Sequence, residues 1–387
     1  MPPPKDRVFG LDFLRAAAIL SVVATHALSV LFPYLVHVLG VFGHGGFYGV
    51  ELFFVLSGFL IGRILIRQGE AFGKPDRLAE FYVRRWFRTL PLFLLFLVIN
   101  IWVEHHFRNH TVGVAEALSH ALFLRNLTGL HISFFLESWS LAVEEWFYLL
   151  FPALLWVGLK LSKRFDAVFI TAASAFFTFS IAARMVAAVD PAAHWSDALR
   201  MVVIFRFDAL MIGMFAAWLS LRFPAVWRSS RWNSMAIGVI LLASMYATLW
   251  KIENGALAFG DDSYFARTLR FSLVSFGFAL LLPWGSGWEM PVETWWSRAI
   301  RKVALWSYAL YLAHLPMFLI VERVLSRQPT GSLSKALLIY MLDVCGAVVV
   351  SAVLYHFFEA RCTRLREKAV PIIRALSLSS RSRLPLH

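Results

Sequence analysis

Ten apolar runs alternate with polar segments along the chain, at residues 10–32, 47–67, 89–107, 139–160, 166–188, 203–221, 234–250, 267–284, 303–324 and 335–358. About 20 helical residues, rising 1.5 Å each, cross the ~30 Å hydrocarbon core of a bilayer. Backbone in lipid must satisfy its own hydrogen bonds, so the pattern predicts an all-α polytopic membrane protein of about ten transmembrane helices. The first run follows a short basic segment and continues to Phe32, which reads as a transmembrane helix and not as a processed leader. Arg184, Arg206 and Asp208 interrupt or flank the fifth and sixth runs. Two segments, 108–138 and 251–266, are longer than hairpin turns, and Val114 to Leu124 has the amphipathic pattern of a short re-entrant or interfacial helix. The chain shows no internal repeat.

Composition agrees. Hydrophobic residues make up 59% of the 387 residues and charged residues 16%, against about 25% charge in a soluble domain. Too little is left to build a water-facing surface, and the high hydrophobicity excludes disorder. The net charge of +13 would suggest nucleic acid in a soluble protein. Here it follows the loops: with the N-terminus in the cytoplasm, about 24 lysines and arginines fall on the inner side and roughly 7 on the outer. Both termini are then expected in the cytoplasm. Residues 1–360 read as one transmembrane domain. Residues 361–387 read as a basic tail, lying on anionic lipid or disordered. Cys345 and Cys362 cannot support a disulfide framework.

Ionisable groups inside spans are costly and point to function. Arg15 and His26 are eleven residues apart, which returns to within about 20° of the same helix face, ~16 Å further along. One face thus carries a cation able to neutralise an anionic ligand and an imidazole able to move a proton near neutral pH. Glu144 and Glu145 lie within the fourth run, about 100° apart around the helix. Both need partners, and they cannot serve one site equally. Ser140, Glu144 and Tyr148 share a face, as do Ser307, Tyr311 and His314. Arg84, Arg85 and Arg88 gather at the inner end of the third span, where guanidinium forks suit phosphates. Pro91 is expected near the start of that helix, Gly58 and Gly62 are expected at helix contacts, and Arg206 with Asp208 is expected to form a helix-pinning ion pair. His106 and His110 have an i, i+4 spacing but no third ligand at a familiar spacing, so no metal is expected.

Several ordered blocks resemble the acyltransferase 3 family of membrane acyltransferases. They are Arg15 with His26, FFVLSGFLI (53–61), YVRRWFRTLP (82–91), SWSLAVEEWFYLLFP (138–152), RFDALMIG (206–213) and SYALYLAHLP (307–316). The resemblance spans roughly residues 8–360. It implies a ten-helix core in a bacterial inner membrane and transfer of an acyl group, commonly acetyl, from cytoplasmic acyl-CoA to a hydroxyl, usually of an envelope or exported glycan. By position it implies His26 as the catalytic histidine with Arg15 beside it, Arg85 and Arg88 at the donor, and Glu144 or Glu145 in the acidic block. Many relatives carry a C-terminal SGNH hydrolase-like domain. Here no Gly-Asp-Ser block follows Glu359. A stand-alone membrane module is expected, which completes the transfer itself or passes the acyl group to a separate periplasmic partner.

These readings combine into one expectation. Acetyl-CoA docks its phosphates on Arg84, Arg85 and Arg88, its pantetheine arm passes Arg15, and the thioester meets His26. That histidine acts as general base or forms an acyl-imidazole, with Glu144, Glu145 or Tyr311 orienting the ring. One rival is a proton-coupled exporter that uses His26 and Glu144/Glu145 as a relay. A second is a non-catalytic membrane scaffold or sensor.

Overall fold

The computed structural model describes residues 7–34, 43–129, 132–253, 263–325 and 332–381. Among them there is no strand, and eight helices are long and apolar enough to cross a membrane. In chain order the helices are α1 (Phe9–Ala27), α2 (Gly45–Gln68), α3 (Pro75–Phe107), α4 (Val114–Ala121), α5 (Ser138–Leu161), α6 (Phe165–Ala187), α7 (Phe207–Arg222), α8 (Pro224–Ser229), α9 (Arg231–Glu253), α10 (Tyr264–Ala279), α11 (Leu282–Gly287), α12 (Trp295–Leu325), α13 (Leu333–Leu354) and α14 (Ala360–Arg381). The sixth and seventh of the ten expected spans fall on α7 and α9, which are not among those eight helices. With 16 residues, α7 is about 24 Å long, because Arg206 and Asp208 mark a break from the preceding segment. The short helix expected in the 108–138 segment is α4. Most of the 251–266 segment, residues 254–262, lies outside the described residues, as does the end of the tail.

Two features place the helices that matter for chemistry. The first is the close crossing of α2 and α7. A Cβ on Gly58 would collide with the Leu210 carbonyl, and one on Gly213 with the Val55 carbonyl, so small residues let the two backbones touch, as expected for Gly58. The second is a set of buried ion pairs. Arg206 and Asp208 do not pair with each other. Arg206 bonds Glu51 of α2, and Asp208 bonds Arg184 of α6 at 2.9 Å. Arg206 lies before α7 and Asp208 in its first turn, so their side chains reach toward different neighbours. Each pair ties α7 to another helix.

The helix containing Pro91 starts earlier than expected. It begins at Pro75, and Pro91 lies in its interior. Proline in a helix withholds one N–H, here from the Phe87 carbonyl; the rest of the ladder continues on both sides. Helical structure thereby extends back through Arg84, Arg85 and Arg88, which project from two adjacent turns of one rigid element. The basic tail forms α14, which packs against α3, with Glu367 3.7 Å from Arg84.

Candidate active site

Five helices surround a cavity of about 840 Å³. Helix α1 contributes Arg15, α2 Ser57, Arg63 and Arg67, α3 Arg85 and Arg88, α5 Ser140, Glu144 and Tyr148, and α12 Arg301, Tyr308 and Tyr311. Arg7 and Glu289 complete the charged lining, which holds seven arginines and two glutamates. Arg7, Arg67, Arg85, Arg88 and Arg301 come from three segments that the charge pattern assigns to one side of the membrane, and Arg15 and Arg63 lie within the helices that adjoin them. Such a cavity suits a ligand with several negative charges.

Glu144 and Glu145 separate as their helix positions require. Glu144 lines the cavity, where it accepts hydrogen bonds from Ser57 Oγ at 2.8 Å and Tyr148 Oη at 2.9 Å. The charge of Arg15 also acts on it. Glu145 turns away toward α3, where it meets Thr89 and Arg85. Arg85 lies over the Phe81 and Tyr148 rings, 5.9 and 5.6 Å from their centroids, while Arg88 lines the cavity beside it. Arg84 is not part of the lining. Its Nε bonds Glu80 at 2.9 Å on the same helix, so the three arginines of the motif divide into two on the cavity and one on the outer face of α3.

The cavity ends at Ser140 and Tyr311, whose hydroxyls are 2.6 Å apart. One turn further along α12, His314 is fully buried. Its Nε2 lies 2.9 Å from Nδ1 of His26, and its Nδ1 lies 2.7 Å from the Tyr311 carbonyl oxygen. His26 is exposed at the end of α1. Arg15 and His26 share a face of α1 as expected, but the cavity lining includes Arg15 and neither histidine. Arg200, on the π-helical turn Trp195–Arg200, sits 5.1 Å from both the Trp139 and Trp195 ring centroids. Its charge acts on both His26 and Tyr311.

Of the residues expected from sequence, Arg15, Arg85, Arg88, Glu144 and Tyr311 line the cavity and His26 lies in the histidine pair beyond it, whereas Arg84 and Glu145 are not in the lining. Sequence reasoning did not single out Arg63, Arg67, Arg301 or Arg200. Arg63 and Arg67 lie one turn apart at the end of α2, and Arg200 and Arg301 come from two distant segments, so nothing local connects these positions to the rest of the site. His106 bonds the Trp102 carbonyl, and His110 lies 3.6 Å from Glu104. No cluster of three or more metal-ligating side chains occurs among the described residues.

Two titratable groups lie just outside the spans, at the start of α5: Glu137, whose carbonyl accepts from Ser140, and His120, whose Nδ1 lies 3.3 Å from Ser138 Oγ. Glu137 is buried, and burial pushes its carboxyl up to about 8. His120 is also buried; burial and the charge of Arg125 hold its imidazole down at about 4. A raised acid stabilises the fold fully below its unfolded value near 4.5 and loses that contribution as pH rises through 8. A lowered histidine contributes above 6.5 and loses the contribution as pH falls through 4. Glu137→Gln is therefore expected to raise the melting temperature at pH 8–9, by about 2–4 °C per kcal/mol recovered, and to do little at pH 5. His120→Gln should blunt the loss between pH 7 and 4. Thermal unfolding of the detergent-solubilised protein across this range checks both.

Comparison with known proteins adds a family. The sequence model of a family described as an acyltransferase domain matches residues 8–356. Among curated proteins, the peptidoglycan O-acetyltransferase OatA of Listeria monocytogenes is 34% identical over 166 residues, 40% of this chain and 25% of that protein. The O-acetyltransferase OatA of Staphylococcus aureus is 32% identical over 155 residues, 37% of this chain and 24% of that protein. The match thus spans about a quarter of the length of these relatives. No solved structure matches.

Proposed function

The chain belongs to the acyltransferase family whose model covers residues 8–356, and we propose that it is an O-acetyltransferase of a bacterial plasma membrane, moving acetyl from cytoplasmic acetyl-CoA to a hydroxyl of peptidoglycan or another envelope glycan. The observation that carries this reading is the position of the arginine-lined cavity, which ends one helical turn short of the His26–His314 pair. CoA offers a diphosphate and a 3′-phosphate to the guanidinium groups, and its thin pantetheine arm runs between α1, α2 and α12. Arg85 and Arg88 hold the phosphates from a rigid helix. Arg15, further in and beside Glu144, meets the arm. The thioester reaches His26 when Tyr311 turns away from Ser140.

At His26 two routes are open. On one, the ring takes the acceptor hydroxyl's proton while that oxygen attacks the acyl carbon and the C–S bond breaks. On the other, a ring nitrogen bonds the acyl carbon, the C–S electron pair leaves on CoA, and an acceptor on the far side then takes the acyl group. The exporter reading requires His26 and the glutamates in one proton path, but Glu144 is bonded to Ser57 and Tyr148 and His26 to His314.

The test is CoA release from acetyl-CoA by purified protein in liposomes, with a glycan oligosaccharide as acceptor. A charge-assisted hydrogen bond is worth about 1.5–3 kcal/mol, so Arg85→Ala or Arg88→Ala is expected to raise KM for acetyl-CoA roughly 10- to 100-fold with a smaller change in kcat. Arg84→Ala should move KM far less, because that side chain is paired with Glu80. Equal effects at all three arginines would place the donor elsewhere. Substrate-gradient-driven flux without CoA turnover would support the exporter.

A further inference from the structure

The histidine pair has a defined proton arrangement. The Tyr311 carbonyl can only accept, so the 2.7 Å contact places a hydrogen on Nδ1 of His314. A neutral imidazole carries one N–H, so Nε2 of His314 is a lone pair. The 2.9 Å contact to His26 then needs a donor, and His26 Nδ1 must supply it. Its own Nε2 is left without a hydrogen. Ring geometry supports a bond of this kind. The centroids are 5.0 Å apart and the planes 18° from parallel, so the rings meet edge to edge and nearly coplanar, with the lone pair along the N–H. A doubly protonated His314 would bury a charge, and no carboxylate lies within ion-pair distance of either ring among the described residues.

His314 reaches back one turn along its own helix to the Tyr311 carbonyl. Helix α12 thereby supplies both the acceptor that orients His314 and the Tyr311 hydroxyl that closes the cavity.

We propose that His314 is a positioning residue that holds His26 in its Nδ1–H tautomer, leaving the Nε2 lone pair as the atom that attacks the acyl carbon or takes the acceptor's proton. This rests on the reading of His26 as the reacting group. Acylation forms the Nε2–C bond as the C–S bond breaks, with the electron pair leaving on sulfur. The Nδ1–H bond to His314 persists through the step and stabilises the charge that develops on the His26 ring, the role a carboxylate plays beneath the histidine of a serine hydrolase.

The test combines kinetics with nitrogen NMR on the full-length protein. In the ¹⁵N-histidine-labelled wild type, His26, assigned by difference from His26→Ala, should show a protonated Nδ1 and a bare Nε2. His314→Leu is expected to lower kcat roughly 10²–10⁴-fold, leave KM for acetyl-CoA nearly unchanged, and release His26 to the other tautomer. His314→Gln places a carbonyl near the lost Nε2 and should recover most of that loss. A bare Nδ1 on His26 in the wild type would overturn the proposal, as would wild-type kcat in His314→Leu, or equal losses in the Leu and Gln variants. If His314→Leu does not fold, the wild-type spectrum and the Gln variant decide. If the wild type turns over no acyl-CoA, the catalytic reading fails, while the tautomer of His26 still tests the positioning.

Discussion

Replacing His26 with alanine is expected to remove acetyl-CoA-dependent CoA release, with a loss in kcat of at least 10²–10⁴-fold, while KM for acetyl-CoA stays close to that of the wild type. The separation of the two constants follows from the geometry. The seven arginines proposed to attract the donor line a cavity to which His26 does not contribute. Removing its ring deletes the reacting nitrogen and no phosphate contact. His26 is on the last turn of α1 and outside the hydrophobic core, so truncation removes its contact with His314 and little core packing. The one group it strands is Nε2 of His314. A melting temperature within a few degrees of the wild type should accompany the lost activity. A rise in KM with kcat preserved would make His26 a donor-binding residue. Full activity would remove both chemical routes proposed for it.

The second large effect concerns stability. Arg184→Leu is expected to cost about 3–5 kcal/mol, because breaking a buried pair leaves its partner charged and unpaired. All five N–H groups of Arg184 are engaged. Nε donates to the Thr268 carbonyl at 3.0 Å, Nη1 to the Phe205 carbonyl and to Asp208 Oδ1, and Nη2 to Asp208 Oδ2 and Ser272 Oγ. Ser272 in turn donates to Asp208 Oδ2 at 2.6 Å. This cluster joins α6, α7 and α10 without any water-exposed atom, since Arg184 and Asp208 are both fully buried. Asp208→Asn should cost a similar amount by removing the anion. The double variant Arg184→Leu, Asp208→Leu should cost less than the sum of the two single changes, because no lone charge remains. Thermal unfolding and monodispersity in detergent measure all three. Additive losses would show that the pair is not coupled.

Much of this architecture was legible from residue order. The Arg15–His26 face follows from eleven residues on a 3.6-residue helix, and both sit on one face of α1. The divergence of Glu144 and Glu145 follows from one helical step, and they do go to different neighbours. Gly58 was readable as a packing residue because only a missing side chain lets α2 touch α7. Pro91 misled because helix-start preference is a local signal, whereas amphipathic sequence on both sides carried the helix through it. Arg206 and Asp208 misled because closeness in sequence is no guide to pairing once neighbouring helices offer Glu51 and Arg184.

Span length, helical period and charge asymmetry are properties of consecutive residues, so they settle from sequence that this is an all-helical membrane protein with a basic end and a polar face on its first helix. The choice of partner for each buried polar group is different. It depends on how helices from distant parts of the chain are rotated against one another, and a hydrogen bond tolerates only a few tenths of an ångström. His26 and His314 are 288 residues apart, and Arg7, Arg67 and Arg301 converge on one cavity from three segments. Only packing brings them within reach, because the directional contacts that define the site are made across helices and not along them.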